Sequence, residues 1–360
     1  DSIIFKFTDL NGKERHITLY NLKNLYDTDL EKTAKNYSLN YYSKLGQEYH
    51  IIDKERFECD LEYQKLVIKS NELDNRVLLD IAKIMLENFK NITGVYPKSI
   101  FTNGSLARSY LLATVGETKS KVLQFKSLYN RLSKFDKLLD YSMKAYHGGK
   151  IESYVLGKVG TAKIVDITSA YPYAMSILPY PTREVLHIEG GKDIDKYFYA
   201  FINCEWTIDD PNFIHPCIVE NPINKSNISP YGYMRAIITK PEYDYLIKHG
   251  IKVNVFDYIA VKHMNVYPYK EIVETLFHKR METKDTNPSL SQMYKIILNS
   301  LYGITFELND TFDEIDNSIE WLGYRAGDYF NPVIASYITA ITRTSLSEVS
   351  NNIIENGGKV

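Results

Sequence analysis

The sequence predicts an α+β fold, and three observations predict it. Period-two apolar runs bounded by turn residues occur at the N-terminus and through the middle of the chain. Long stretches of helical period lie near residues 60–90, 289–302 and 332–355. Strands and helices do not alternate as regular βαβ units, which argues against a parallel α/β sheet. With 360 residues, 44% hydrophobic and 24% charged, the chain can bury a sizeable core in two or more structural units.

In order, residues 3–20 read as two strands around the turn Asp9-Leu10-Asn11-Gly12, a hairpin signal. The period turns helical from Asp29 to Asn36 and again from about Asp60 to Lys90, where Leu66, Leu73, Val77, Leu78, Ile81, Ile84 and Met85 form the apolar stripe. Thr93-Gly94-Val95-Tyr96-Pro97 breaks that pattern and marks a boundary. A basic helical stretch, about 104–143, leads to Gly148-Gly149. Two short strands, Ile151 to Leu156 and Ala162 to Val165, follow around Gly157-Lys158-Val159-Gly160. Residues 186–265 mix strands, loops and a helix near Pro241–His249. A helix from about Ser289 to Tyr302, acidic turns to about Asn317 and a long helix near Pro332–Glu355 complete the chain, without internal repeats.

No run of 18 apolar residues exists, so no segment is expected to span a membrane as a helix. The chain opens into a strand-like run without an initiator Met or signal-peptide pattern, and it stops at a turn, so a fragment is expected. Cys59, Cys204 and Cys217 are too scattered for a zinc site or a disulfide framework and suit reduced thiols in a cytoplasmic setting. A net charge of −2 gives no bulk attraction to nucleic acid, and thirty tyrosines reflect an AT-rich genome more simply than thirty stacking platforms. Local charge is more informative. Between Thr118 and Lys158 nine basic residues (Lys119, Lys121, Lys126, Arg131, Lys134, Lys137, Lys144, Lys150, Lys158) face only Asp136, Asp140 and Glu152, with Phe125, Tyr129, Phe135, Tyr141, Tyr146 and Tyr154 interleaved. Such mixing suits a sugar-phosphate backbone with unstacked bases, and equally suits a solvated helix face over an aromatic core.

Two segments carry chemistry. In Asp166-Ile167-Thr168-Ser169-Ala170-Tyr171-Pro172 a carboxylate ends the expected strand Lys163–Val165 and the chain then turns. A carboxylate mounted this way suits a divalent metal, and the turn's N–H groups with Ser169 suit phosphate oxygens. A lone D-x-x-S is more often an ordinary capped turn. In Lys295-Ile296-Ile297-Leu298-Asn299-Ser300-Leu301-Tyr302-Gly303, helical spacing puts Lys295, Asn299 and Tyr302 on one face and Leu290, Met293, Ile297 and Leu301 on the other. A cation, an amide and an aromatic in line suit a triphosphate and a base, and Gly303 leaves room for a nucleic-acid chain. The plainer alternative is an amphipathic helix with a glycine C-cap.

D-x-x-S-x-Y-P followed well downstream by K-x-x-x-N-S-x-Y-G resembles motifs A and B of family B DNA polymerases, and Tyr146-His147-Gly148-Gly149 resembles the Y-x-G-G motif linking their exonuclease and polymerase modules. The long interval from Asp166 to Lys295 leaves room for an insertion typical of the protein-primed branch of bacteriophages and linear plasmids. The resemblance implies a palm and fingers preceded by the C-terminal half of an RNase H-like 3′–5′ exonuclease domain. It divides the chain into a partial exonuclease-like domain (1–92), a basic linker and start of the palm (93–150), and palm with motif A (151–185). An insertion (186–270), fingers with motif B (271–306), a second small insertion (307–332) and a palm helix (333–360) follow.

The resemblance further implies template-directed DNA synthesis by two-metal transfer from a dNTP to a primer 3′-hydroxyl. Asp166, with the backbone of Ile167, is the implied ligand of two Mg²⁺ ions. The backbone from Ile167 to Tyr171, with Ser169 and Ala170, cradles the triphosphate, and the Tyr171 ring excludes a 2′-hydroxyl. Lys295 neutralises phosphate, Asn299, Tyr302 and Gly303 shape the base-pair pocket, and Arg280 or Lys284 adds a phosphate contact. Tyr146, Gly148 and Gly149 face the template strand. Primer-template DNA, dNTPs and a terminal priming protein are the implied partners. Ala170 stands where motif A usually has a larger apolar residue. The D-T-D hairpin with the second metal carboxylate is not found in the 360 residues, nor are the first two exonuclease acidic motifs. The exonuclease Y-x-x-x-D is best matched by Asp74 with Ser70 in place of Tyr; the other register puts Val67 and Asn71 there. A non-catalytic, DNA-binding derivative of such a polymerase is the alternative.

Overall fold

The computed structural model describes residues 2–9, 11–20, 29–40, 52–99, 102–129, 135–155, 157–221, 223–224, 226–315 and 318–360. It is α+β and divides into two compact units, residues 1–116 with 275–300, and residues 117–274 with 301–360.

The first unit opens with the hairpin β1 (Ser2–Thr8) and β2 (Glu14–Tyr20), paired antiparallel from Ser2↔Tyr20 to Thr8↔Glu14. Asp9 closes its turn: its side chain accepts from the Asn11 and Lys13 N–H groups, and Gly12 supplies φ of 74°. Leu10, at the tip of the expected turn, lies outside the described residues. Helix α1 (Leu30–Asn36) starts where Asp29 accepts from the Lys32 N–H, and α2 (Lys54–Cys59) is a turn and a half that sequence period does not reveal. Helix α3 (Leu61–Thr93) begins at its Asp60 cap and ends at Gly94 in the left-handed conformation, φ 79°. Val77, Ile81, Met85 and Phe89 bury its stripe at four-residue spacing, whereas Leu66, expected in that stripe, is exposed. Helix α4 (Asn103–Thr114) carries a capping box between Thr102 and Ser105.

In the second unit, α5 (Glu117–Lys121), α6 (Phe125–Tyr129) and α7 (Phe135–Ala145) precede the Y-x-G-G segment, and α8 (Ala170–Ser176) follows Asp166. Strands β3 (Tyr180–Glu189), β4 (Tyr199–Ile208), the short pair β5 (Val219–Glu220) and β6 (Asn227–Ile228), β7 (Gly232–Thr239), helix α9 (Lys240–Lys248) and β8 (Val253–Met264) build a sheet module. Its antiparallel sheet has the order β3-β8-β4-β7. Ile202, Cys204, Trp206, Ile208, Met234, Ile238, Leu246 and Tyr258 form one core beneath it. Helices α10 (Lys270–Thr283) and α11 (Pro288–Gly303) each begin in one unit and end in the other. The hairpin β9 (Leu308–Ile315) and β10 (Ser318–Ala326) leads to α12 (Pro332–Glu355), capped by the Asn331 side chain.

Two expectations are corrected. Residues 308–315 and 318–326 form a ladder rather than acidic turns, because the returning strand supplies antiparallel backbone partners from Leu308↔Ala326 to Ile315↔Ser318; Asn317 lies outside the described residues. The strands expected at 151–156 and 162–165 are absent from the described residues there. A strand exists only as part of a ladder, and no described strand pairs with this stretch, leaving Ile151 99% and Ile164 98% exposed. Leu156 lies outside the described residues.

Candidate nucleotide and DNA site

Helix α11 forms because one face is continuously apolar: Met293, Ile297 and Leu301 are fully buried. Lys295 and Asn299 then face solvent on the opposite side, with half-buried Tyr302 one turn further and exposed Gly303 closing the helix. A methyl group at Gly303 would meet nothing within 4 Å. Arg280 lies on α10 half-buried, its carbonyl accepting from the Ser291 hydroxyl at 3.0 Å, and Lys284 is exposed just past α10.

Asp166 and Ile167 lie in an exposed, unladdered segment, not at the end of a buried strand. The turn into α8 passes through Ser169 with φ 54° and ψ 43°, an uncommon conformation for a residue with a Cβ. It is over-determined on the helical side, where the Ser169 carbonyl accepts from the Tyr173 N–H at 2.9 Å. Ala170 opens α8, and Pro172, Ala174 and Met175 bury its underside. Tyr171 is left half-exposed.

The second unit brings the Y-x-G-G segment, Tyr171 and the end of α11 together. The Tyr171 ring stacks on Tyr302 with centroids 4.6 Å apart and 10° between planes. The Tyr302 and Tyr146 hydroxyls lie 3.0 Å apart, and Tyr146 stacks on Phe306 at 3.4 Å and 12°. Burial pushes both the Tyr146 and the Tyr302 hydroxyl up, so both remain protonated at neutral pH. Gly149 abuts this column: a Cβ there would stand 2.5 Å from the Tyr171 hydroxyl.

Sequence reasoning missed what fixes the backbone at Gly148. Arg343 of α12, only 1% exposed, donates to the carbonyls of His147 (2.6 Å), Gly148 (2.8 Å) and Pro216 (3.0 Å), and pairs with buried Glu242 at 2.6 Å. The other Glu242 oxygen accepts from the N–H and hydroxyl of Thr239, capping α9. A T-x-x-E capping box before α9 and an arginine following the largely apolar first turns of α12 were the available signals. Lys150 donates to the His215 carbonyl at 2.7 Å and pairs with Glu152 at 3.0 Å.

The basic stretch 118–158 is less available for stacking than its composition implied. Phe125, Tyr129 and Tyr141 are buried, Tyr146 is half-buried, and Lys121, Lys144 and Lys150 are paired with Glu117, Asp140 and Glu152. Arg131 and Lys134 lie outside the described residues. Asp74 lies half-buried on α3, with Ser70 also half-buried one turn earlier. Cys204 and Cys217 are buried free thiols and Cys59 an exposed one. Among the described residues, His187, Glu189 and Asp257 place three potential ligand atoms within 4.8 Å of one another, far in sequence from Asp166. The Lys137 ammonium already lies 2.8 Å from His187 Nε2 and supplies a cation there. Burial works to raise the Asp257 pKa, but hydrogen bonds from Tyr141, Asn203 and His187 and the Lys137 charge outweigh it, holding the carboxylate below its ordinary range. No described helix is long and apolar enough to cross a membrane.

Residues 72–316 match the family model for DNA polymerase type B, organellar and viral. The chain is 22% identical to the DNA polymerase of Acidianus bottle-shaped virus (isolate Italy/Pozzuoli), over 94% of this chain and 51% of the relative. Its fold is similar to that of Phi29 DNA polymerase in an orthorhombic crystal form, with TM-score 0.71 and 18% identity over 98% of this chain and 61% of that one. The Phi29 polymerase complexed with primer-template DNA and incoming nucleotide matches with TM-score 0.65 and 17% identity over the same shares. The chain therefore spans about half the length of the viral relative and about six-tenths of the Phi29 enzyme. The match over more than half of its residues settles the assignment: the chain belongs to the organellar and viral type B DNA polymerases.

Proposed function

We propose that residues 1–360 carry the nucleotide-handling part of a DNA-directed DNA polymerase that extends a primer 3′-hydroxyl along a template. The observation that carries the reading is the stack of Tyr171 on Tyr302, which sets the ring that follows the Asp166 turn against the last turn of α11. Lys295 neutralises the dNTP phosphates, while Asn299 and Tyr302 border the base and Tyr171 lies beneath the sugar, excluding a 2′-hydroxyl. Ser169 and the N–H groups entering α8 hold phosphate oxygens, with Arg280 or Lys284 as a further cation. Tyr146, Gly148, Gly149 and Gly303 border the template-primer. Asp74 is the candidate exonuclease carboxylate.

Exposed Asp166 and the carbonyl of Ile167 are hard oxygen donors of the kind Mg²⁺ takes. When bound, two ions would activate the attacking oxygen and neutralise the leaving pyrophosphate. Asp166 is the single carboxylate we assign to that pair within residues 1–360, so this stretch alone is expected to bind primer-template DNA in a salt-sensitive way without extending it. Likeness to the protein-primed branch extends the reading to a terminal protein as primer, in the cytoplasm of the host cell. The test is Asp166→Asn in the complete polypeptide. Primer extension should be abolished while primer-template binding survives; undiminished extension would sink the assignment.

A further inference from the structure

Gly149 has no backbone reason to be glycine, since its φ is not in the left-handed region. The reason lies opposite it: an added Cβ would stand 2.5 Å from the Tyr171 hydroxyl, and 3.8 Å from the Tyr171 Cζ. Gly148, its neighbour, would meet nothing within 4 Å. The two glycines of the motif thus differ in kind. Ordinary contact lies near 3.5–4 Å, so a methyl group at 149 would force the hydroxyl back by roughly 1 Å. The ring is not free to recede. Tyr302 stacks on it, the Tyr146 hydroxyl lies 3.0 Å from that of Tyr302, and Phe306 stacks on Tyr146. The backbone cannot yield easily either, because Arg343 grips the preceding carbonyls of His147 and Gly148.

We propose that Gly149 is a positioning residue for sugar selection: the space left by its missing side chain seats the Tyr171 hydroxyl and sets where the tyrosine ring lies. The inference rests on the reading of Tyr171 as the ring that excludes a 2′-hydroxyl. A side chain at 149 tilts that ring out of place and relaxes the choice between dNTP and rNTP. Tyr171→Phe, which keeps the ring and drops the hydroxyl, leaves Cζ at 3.8 Å as the nearest atom, so it should restore the fit.

The experiment is a set of variants in the complete polypeptide, read as the ratio of rNTP to dNTP incorporation on one primer-template. Gly149→Ala should raise the ratio several-fold, Gly148→Ala should not, and Gly149→Ala with Tyr171→Phe should return it to the Tyr171→Phe value. Tyr171→Val should raise it most. If Tyr171→Val raises the ratio but Gly149→Ala does not, or if Tyr171→Phe fails to reverse the Gly149→Ala effect, the positioning role is overturned alone. If Tyr171→Val leaves the ratio unchanged, the reading of Tyr171 fails and takes this role with it. Primer-template affinity is measured in parallel: because Gly149 also borders the template-primer, a weakened affinity with a raised ratio supports the role, whereas a weakened affinity with an unchanged ratio overturns it.

Discussion

Helix α11 and the segment from Lys150 to Thr168 carry the two chemical motifs, and they are built on opposite terms. The helix satisfies its own backbone groups, so an apolar stripe on one side suffices to hold Lys295 and Asn299 out on the other. The Asp166 segment forms no ladder with any described strand and keeps Ile164 and Val165 in solvent. It is pinned instead by single side chains at its start, Arg343 on the His147 and Gly148 carbonyls and Lys150 on that of His215. A helix-borne site is a local property; a site on an unladdered segment depends on what grips it.

That contrast can be broken in graded steps. Ile297→Ala empties a fully buried position and should cost about 2–5 kcal/mol in denaturant unfolding; a change below 1 kcal/mol would mean α11 is not held by its stripe. The anchor of the other segment should respond to acid. Burial, helped by the nearby Lys150 charge, lowers the His215 pKa from 6.5 to about 4. Above pH 6.5 the ring is neutral folded or unfolded and stability is complete; between 6.5 and about 4 only the unfolded chain takes the proton, so stability falls as pH falls. The loss should reach roughly 3 kcal/mol by pH 4, and His215→Gln should flatten that part of a stability-versus-pH curve. Equal slopes in both proteins would discard the assignment. On the proposed reading, Lys295→Ala in the complete polypeptide should raise the dNTP KM by the equivalent of roughly 1.5–3 kcal/mol while leaving duplex affinity alone. Ile164→Ala, at a 98% exposed site, should change stability by no more than about 0.5 kcal/mol, and a larger loss would reveal a partner for that segment.

The same contrast explains what was legible in the sequence. Caps and stripes are local, so α1, α3, α11 and α12 emerge with bounds within a few residues of expectation, as does the hairpin closed by Asp9 and Gly12. Strand existence is non-local. Ile151 and Ile164 alternate like strand residues yet pair with none described, while acidic residues 308–315 form a ladder because 318–326 return beside them. The shared face of Lys295, Asn299 and Tyr302 followed from helical spacing alone. The Tyr171–Tyr302 stack, the hollow at Gly149 and the Arg343 grip did not, since each joins residues more than a hundred positions apart or depends on a missing Cβ.

The Arg343 fork bears on how the second unit assembles. Its guanidinium finds partners in three places: the loop after Tyr146, the Pro216 carbonyl and the cap of α9. Until all three have arrived, a charge buried in α12 is short of partners, a deficit of several kcal/mol. Half-assembled forms of the unit are thereby disfavoured, and the four-stranded sheet and the loop it helps to brace become a single cooperative block.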